Sequence, residues 1–285
     1  MQVVQSLAVM REQIEAWRAA GDRIVFVPTM GNLHAGHLSL VLTAKNLGER
    51  VIVSIYVNPT QFGANEDFGN YPRTLEADCR RLMDAGADLV FTPEESTMYP
   101  LGVKHATHMH VPGISTKLDG KHRPGHFDGV ATVVCRLFAM VTPDKAVFGQ
   151  KDFQQLQVIR QMVRDLSLGV EVHYGATVRE DDGLAMSSRN QYLDAEERET
   201  APVLYQQLTS IRQALEEGRR DYRALEAEAV ATLEEAGFLP DYISIREPDT
   251  LRKARKPELR QWVVLGAALL GKARLIDNII VDMRA

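Results

Sequence analysis

The sequence predicts an α/β protein: a doubly wound, Rossmann-like parallel sheet followed by a second, smaller α+β domain. Three observations carry this expectation. Short apolar runs such as RIVFV, RVIVSIYV and KAVFG alternate with segments of helical spacing. Those runs lack an in–out alternation, as strands covered on both faces do. Beyond residue 176 the character changes to long helices rich in Glu, Ala and Arg, followed by closely spaced apolar strands.

The elements follow in order. Residues 6–20 have helical spacing and stop at Gly21, a favoured residue just past a helix end. Residues 23–29 read as a buried strand, 36–47 as a helix and 50–57 as a second strand. A helix over 74–85 stops at Gly86, and the strand DLVFTP follows. After an irregular section come a long apolar helix (127–141), a strand (145–149), a helix (153–168) and a strand (170–175). Right-handed crossovers make this a doubly wound sheet ending near residue 176. Residues 195–217 and 221–236 read as two long helices. DYISIRE, QWVVLGAALL and ARLIDNIIVDM are spaced for antiparallel pairing. The predicted domains are therefore 1–176 and 177–285, with the polar, glycine-bearing join DDGLAMSSRN as a hinge or lid.

Composition narrows the function. The chain has 285 residues, 45% hydrophobic and 25% charged, and a formal net charge of −5, which gives no global basic field to hold nucleic acid. Its two cysteines, Cys79 and Cys135, both lie in helical patterns, which fits a reducing compartment rather than a disulfide scaffold. The start, MQVVQSLAVMREQIEAW, mixes charges into an amphipathic pattern without an apolar leader, and no apolar run reaches the ~18 residues of a membrane span. The expectation is a soluble cytoplasmic protein.

The stretch PTMGNLHAGHLSL places two glycines and two histidines directly behind a buried strand. Ligands of doubly wound sheets sit beyond the carboxyl ends of the strands, where the following helices offer unpaired N–H groups to anions. A glycine there lets phosphate approach the backbone closely. Zinc is the rival ligand, but it takes three or four side chains, and no cysteine or carboxylate lies near in sequence. Polar capping of a turn is the plain alternative. Strand–turn–helix context favours phosphate at His34 and His37.

LHAGH behind a first strand resembles the HxGH signature of the nucleotidyltransferase superfamily related to class I aminoacyl-tRNA synthetases. The resemblance extends along the chain: PTMGNLHAGHLSL, SIYVNPTQF, NYPRTLEAD, RPGHFDGVATVV, FGQKDFQQL and REDDGLAMSSRN are similar, in that order, to the conserved blocks of the pantoate–β-alanine ligase (pantothenate synthetase) family. The resemblance implies a carbon–nitrogen bond-forming ligase that joins pantoate to β-alanine through a pantoyl adenylate, with ATP cleaved to AMP and pyrophosphate. Magnesium would accompany ATP as cofactor, and the family is typically a homodimer.

It also implies roles for residues. His34 and His37 would reach the phosphates, with His37 donating to charge that develops on them. Met30, Gly31, Asn32, Leu33, Ala35 and Gly36 would complete this part of the ATP site. In FGQKDFQQL, Gly149, Gln150, Lys151 and Asp152 would contact ATP, Lys151 pairing with triphosphate oxygens and Asp152 accepting from ribose hydroxyls. Capping of the next helix is the alternative for Asp152. Gln61 would bind pantoate and β-alanine and Gln155 pantoate, since an amide both donates and accepts. Met30 and Phe62 would line the gem-dimethyl group. MSSRN is similar to a mobile KMSKS loop: Met186, Ser187, Ser188 and Arg189 would close over the triphosphate, and Val178 would meet adenine through its backbone. Arg123 and His126 would order a lid or contact β-alanine. Asp78 matches a position near the magnesium, although a carboxylate on a helix is more often solvated.

His105, His108 and His110 suggest one face of an edge strand more than a metal site. The helices over 195–236 suggest a solvated face, not a nucleic-acid surface. Two other classes fit parts of the pattern. An adenylyltransferase stopping after one transfer would not need the NPTQF and FQQL pair, and a non-catalytic nucleotide-binding module would not need His37, Lys151 and Arg189. A class I aminoacyl-tRNA synthetase lacks support in any basic stripe.

Overall fold

The structure is a computed structural model that describes residues 1–63, 66–256 and 258–283. In chain order its elements are β1 (Gln2–Val4), α1 (Leu7–Ala19), β2 (Ile24–Thr29), α2 (Ala35–Lys45), β3 (Arg50–Ile55), α3 (Leu75–Asp84), β4 (Leu89–Phe91), α4 (Glu95–Met98), α5 (Asp119–His122), α6 (His126–Val141), β5 (Lys145–Gly149), α7 (Phe153–Asp165), β6 (Glu171–Gly175), α8 (Ala195–Thr200), α9 (Val203–Glu216), α10 (Tyr222–Glu235), β7 (Leu239–Arg246), β8 (Gln261–Leu270) and β9 (Ala273–Asp282). Two compact units result: Met1–Thr116, Arg123–Gln150 and Gln155–Ala176 form the first, and Lys117–His122, Lys151–Gln154 and Thr177–Ala285 the second. A single cut in the sequence could not have assigned the two short pieces to the second unit.

The first unit is a six-stranded sheet in the order β1-β4-β3-β2-β5-β6, parallel at every pairing. Its central strands are apolar throughout because each face meets helices. On one face Val25, Val27, Val51, Val53 and Val147 pack with Leu40, Val41 and Ala44 of α2. On the other, Phe138 of α6 lies edge-on to Phe26 and Phe148, with ring centroids 6.4 and 6.3 Å away. Phe138 is 3% exposed, and its truncation to alanine would cost about 3–5 kcal/mol.

The second unit is an antiparallel sheet, β7-β8-β9, covered by α9 and α10. Leu204, Leu208, Ile211 and Leu215 recur at helical spacing and meet Trp262, Val264, Ile279 and Val281. No helix among the described residues is long and apolar enough to cross a membrane.

Several elements differ from expectation. The edge strand β1 was hidden by its shortness, and only its parallel pairing with β4 defines it. The helix expected over 195–217 is two helices, because Ala201–Pro202 interrupts it and proline cannot supply the interior N–H. The histidine run forms no edge strand: Val103–His105 is one 3-10 turn, and His110 Nδ1 instead lies 2.9 Å from Asp128 Oδ1. The helix over 153–168 stops at Asp165, and Ser167 turns the chain with φ of 52°.

Candidate active site

In the first unit, the turn after β2 is fixed from α3. Asp78 is 0% exposed, and its carboxylate accepts the N–H of Asn32 at 2.9 Å, the N–H of Leu33 at 2.8 Å and the Thr74 hydroxyl at 3.1 Å. Arg81 donates to the Leu33 carbonyl. Gly31 has φ of 81°, and a Cβ there would stand 3.1 Å from Asp78 Oδ2 and 3.0 Å from Ile55 Cγ2, so the turn requires glycine. Two consecutive N–H groups that could have held a phosphate are thus occupied by the protein's own carboxylate. Anion-binding capacity at this turn passes to the first N–H groups of α2, which an α-helix leaves without an intrahelical partner.

His34 precedes α2 in extended conformation, and His37 lies one turn later. Their rings are 4.1 Å apart. The His34 backbone N–H points to His37 Nδ1 at 3.4 Å, so Nδ1 accepts in this contact. A ring that accepts at Nδ1 and carries its proton on Nε2 presents a donor on its other edge. That is the chemistry a developing phosphoryl charge needs.

Gln61 ends a one-turn 3-10 helix, Pro59–Gln61, capped by Asn58. Asn58 Nδ2 donates to Gln61 Oε1 at 3.2 Å and to the Gly129 carbonyl at 3.2 Å, while Tyr99 donates to Asn58 Oδ1 at 2.7 Å. Because the Gly129 carbonyl can only accept, the amide orientation of Asn58 is settled, and with it that of Gln61. Gln61 Nε2 consequently points to Met30 Sδ at 3.0 Å. Two residues expected to share one substrate are therefore in contact. Gly129 permits this, since a Cβ there would overlap the Thr60 carbonyl.

Arg123 and His126 support Gln61 from behind. Arg123 donates to Glu66 at 2.7 and 2.6 Å and to His126 Nε2 at 3.0 Å. His126 Nδ1–H then donates to the Gln61 carbonyl at 2.7 Å. Burial pushes the Glu66 carboxyl up, but Arg123 outweighs it and holds the group below the usual range. Phe62 stacks in an aromatic cluster, 5.3 Å from Phe68 and 5.8 Å from Tyr71. Gly149 closes β5 opposite Gly175, and Gln155 sits half-buried near the start of α7.

In the second unit, Lys151 and Ser187 line one pocket together with Asn190, Tyr205 and Asp277. Lys151 and Asp152 belong to a 3-10 turn that leads into α7. The join, expected to be a hinge or lid, is mostly hairpin in local structure: Met186 N–H donates to the Val178 carbonyl at 3.0 Å and Glu180 N–H to the Leu184 carbonyl at 2.8 Å. Ser187 then caps the 3-10 helix Ser188–Tyr192 by accepting the Arg189 N–H at 3.2 Å. This serine is thus the N-cap of that turn.

Four residues escaped sequence reasoning. Asn58 and Gly129 stood inside the quoted blocks but had no visible partner. Asp277 and Asn278 carried a better signal, two adjacent polar residues within the apolar strand ARLIDNIIVDM, where burial demands hydrogen bonds. Asp78 is buried rather than solvated, and both its oxygens are engaged. It therefore does not offer the open carboxylate that a magnesium ligand requires.

Known proteins resemble this chain from end to end. A sequence model of the family "Pantoate-beta-alanine ligase" matches residues 2–280. The chain is 55% identical to a pantothenate synthetase of Stutzerimonas stutzeri over 284 residues, covering 100% of this chain and 99% of the relative. It is 54% identical to one from Thioalkalivibrio sulfidiphilus, covering 99% of each. A crystal structure of pantothenate synthetase from Thermus thermophilus superposes with a TM-score of 0.87 at 45% identity, over 98% of this chain and 99% of that one. The Francisella tularensis pantoate-beta-alanine ligase, complexed with beta-gamma ATP and beta-alanine, gives 0.79 at 33% identity, over 98% and 97%. With a family model spanning nearly the whole chain and relatives this similar end to end, the chain belongs to the pantoate-β-alanine ligase family, and it is an enzyme of that family.

Proposed function

We propose that this chain condenses pantoate with β-alanine, driven by ATP cleavage, through a pantoyl-adenylate intermediate. A carboxylate is inert to amines until it carries a good leaving group. One pantoate carboxylate oxygen attacks the α-phosphorus, the bond to the bridging oxygen breaks, and pyrophosphate leaves with the electron pair. The β-alanine amine then attacks the acyl carbon, AMP departs with its phosphate oxygen, and the amine loses a proton. Magnesium enters as the ATP complex, bound through phosphate oxygens. It lowers the charge of the polyphosphate.

The observation that carries this reading is the His34–His37 arrangement, where a backbone N–H on His37 Nδ1 leaves Nε2–H as a donor at a helix N-terminus. Charge grows on the phosphoryl oxygens during attack, so a donor fixed in advance stabilises the transition state more than the ground state. His34 supports the same phosphates. Gln61 and Gln155 hold the hydroxyls of pantoate, with Gln61 also serving β-alanine, and Met30 and Phe62 face its methyl groups. Main-chain atoms of Met30 to Gly36, with Gly149 and Gln150, border the nucleotide, and Val178 and Met186 do so on the adenine side. Asp152 takes the ribose. Lys151, Ser187, Ser188 and Arg189 bind triphosphate oxygens, Arg189 through its planar fork. Asp78 acts by shaping the turn before α2. The family resemblance further supports a cytoplasmic homodimer. The co-bound nucleotide and β-alanine of the Francisella relative support the choice of substrates.

ATP–pyrophosphate exchange tests the reading. With β-alanine absent, exchange is expected only when pantoate is present. Exchange that is independent of pantoate, or none at saturating magnesium–ATP and pantoate, would overturn it.

A further inference from the structure

We infer that Asp277 and Asn278, consecutive residues of β9, are positioning residues for Lys151 and for the Ser187–Arg189 segment. The inference rests on the proposed phosphate roles of those residues. Lys151 and Ser187 lie far apart in sequence, yet both line one pocket of the second unit with Asp277. Something must fix their spacing, and β9 supplies it from two adjacent side chains.

Asn278 is 2% exposed, and its Nδ2 donates to the Lys151 carbonyl at 2.9 Å. Lys151 lies in a short 3-10 turn rather than within a long helix or strand, so its backbone has few other restraints. Asp277 is 4% exposed and takes both ends of the Arg179 guanidinium, at 2.6 and 2.9 Å. It also accepts the Asn278 N–H at 2.7 Å, so the two residues brace each other.

Arg179 passes this restraint to the loop. Its guanidinium carbon lies 3.6 Å above the Tyr205 ring, and Nη1 donates to the Gly183 carbonyl at 3.0 Å. Gly183, with φ of 95°, packs so closely that a Cβ would stand 2.7 Å from Tyr205 Cδ1. Arg179 also bridges to Ala185 across the hairpin, one residue from the Val178–Met186 rung. Ser187 follows directly. The chain of restraint thus runs from Asp277 through Arg179 to the rung that launches Ser187–Arg189.

Charge gives the pairing a second consequence. A lone arginine beside this pocket would compete for triphosphate oxygens. Both terminal nitrogens of Arg179 instead donate to the buried Asp277 carboxylate, which offsets its charge at close range. Burial drives the Asp277 carboxyl upward, opposed chiefly by Arg179, so either partner alone would be a poor tenant of the site.

The test is single-turnover formation of the pantoyl adenylate at saturating magnesium–ATP and pantoate. Burst amplitude counts competent enzyme, and the burst rate reads positioning. Asn278→Ala is expected to keep its amplitude and lose about tenfold or more in rate, since sub-ångström misplacement of a reacting group has such effects. The double variant Lys151→Ala/Asn278→Ala should be no slower than Lys151→Ala, because Asn278 acts through Lys151. Likewise Asp277→Asn should add nothing to Arg189→Ala. Should Asp277→Asn fail to fold, Arg179→Met/Asp277→Leu removes both charges together and should fold but react slowly. A wild-type burst rate for Asn278→Ala, losses that add, or a loss confined to amplitude would overturn the inference. If Lys151→Ala and Arg189→Ala themselves react at the wild-type rate, the phosphate roles fall and the inference falls with them. If they are slow while the β9 variants are not, the inference alone fails.

Discussion

Asp78 Oδ1 accepts the Leu33 N–H at 2.8 Å, and its other oxygen accepts the N–H of Asn32, so a side chain of α3 sets the backbone of the turn that delivers His34 and His37. A carboxylate is the right group here because both partners are donors and the site is fully buried.

Asp78→Asn should therefore turn an amide NH2 toward one of those N–H groups. A stability loss of about 1–3 kcal/mol is expected from the unsatisfied donor. Adenylate formation should slow, while the magnesium concentration for half-maximal rate stays unchanged. Thermal melting and a magnesium titration of single-turnover rates measure both. A several-fold rise in the magnesium requirement would instead make Asp78 a ligand.

His37→Ala removes the proposed donor. Loss of one preorganised donor of this kind lowers kcat by roughly 10²–10³. The KM for ATP should change far less, because the interaction strengthens only as charge develops. Steady-state kinetics beside a melting curve decide the matter. A stable variant that forms adenylate at the wild-type rate contradicts the role.

Gln61→Ala and Gln155→Ala should weaken pantoate use by ~1–3 kcal/mol while ATP binding stays nearly intact. Gly129→Ala should mimic Gln61→Ala in part, since the added methyl meets the Thr60 carbonyl and displaces the turn that carries Gln61. Isothermal titration with each substrate separates these effects. Equal losses for ATP and pantoate would show that the amides serve another purpose.

The Arg123–Glu66 pair gives a pH dependence. Glu66 titrates below the usual 4.5 in the folded chain, so the unfolded chain binds more protons at mildly acidic pH. The pair's contribution is complete above about pH 4.5 and is lost as pH falls through the folded value. Melting temperatures of the wild type and Glu66→Gln should therefore differ most near neutrality and converge as pH falls through the lowered folded value. A gap that widens on acidification would contradict this sign.

Much of the site was legible in sequence because it is built from local chemistry. Glycine at 31 is demanded by the turn, histidines at 34 and 37 stand at the helix start within the same short stretch, and the strand runs announce burial through their composition. The strands β2, β3 and β5 needed only short-range periodicity. Residues whose meaning depends on a distant partner were a different matter. Asp78 read as a position near the magnesium, or else a solvated helix carboxylate, because Leu33 lies far from it in sequence. His126 had no visible connection to the Gln61 carbonyl, nor Asn278 to that of Lys151. The break at Pro202 is local and could have been read; the pairing of β1 with β4 could not.

The sequence by itself determined the alternation of elements, the phosphate-binding chemistry expected of the HxGH turn and the family resemblance, since propensity, periodicity and motif all act over a few residues. The tertiary structure alone decided which buried polar groups satisfy one another: Asp78 with Asn32 and Leu33, Asn58 with Gln61, Asp277 with Arg179. The physical reason is that a buried donor or acceptor must find a partner, and only chain topology determines which group stands within about three ångströms.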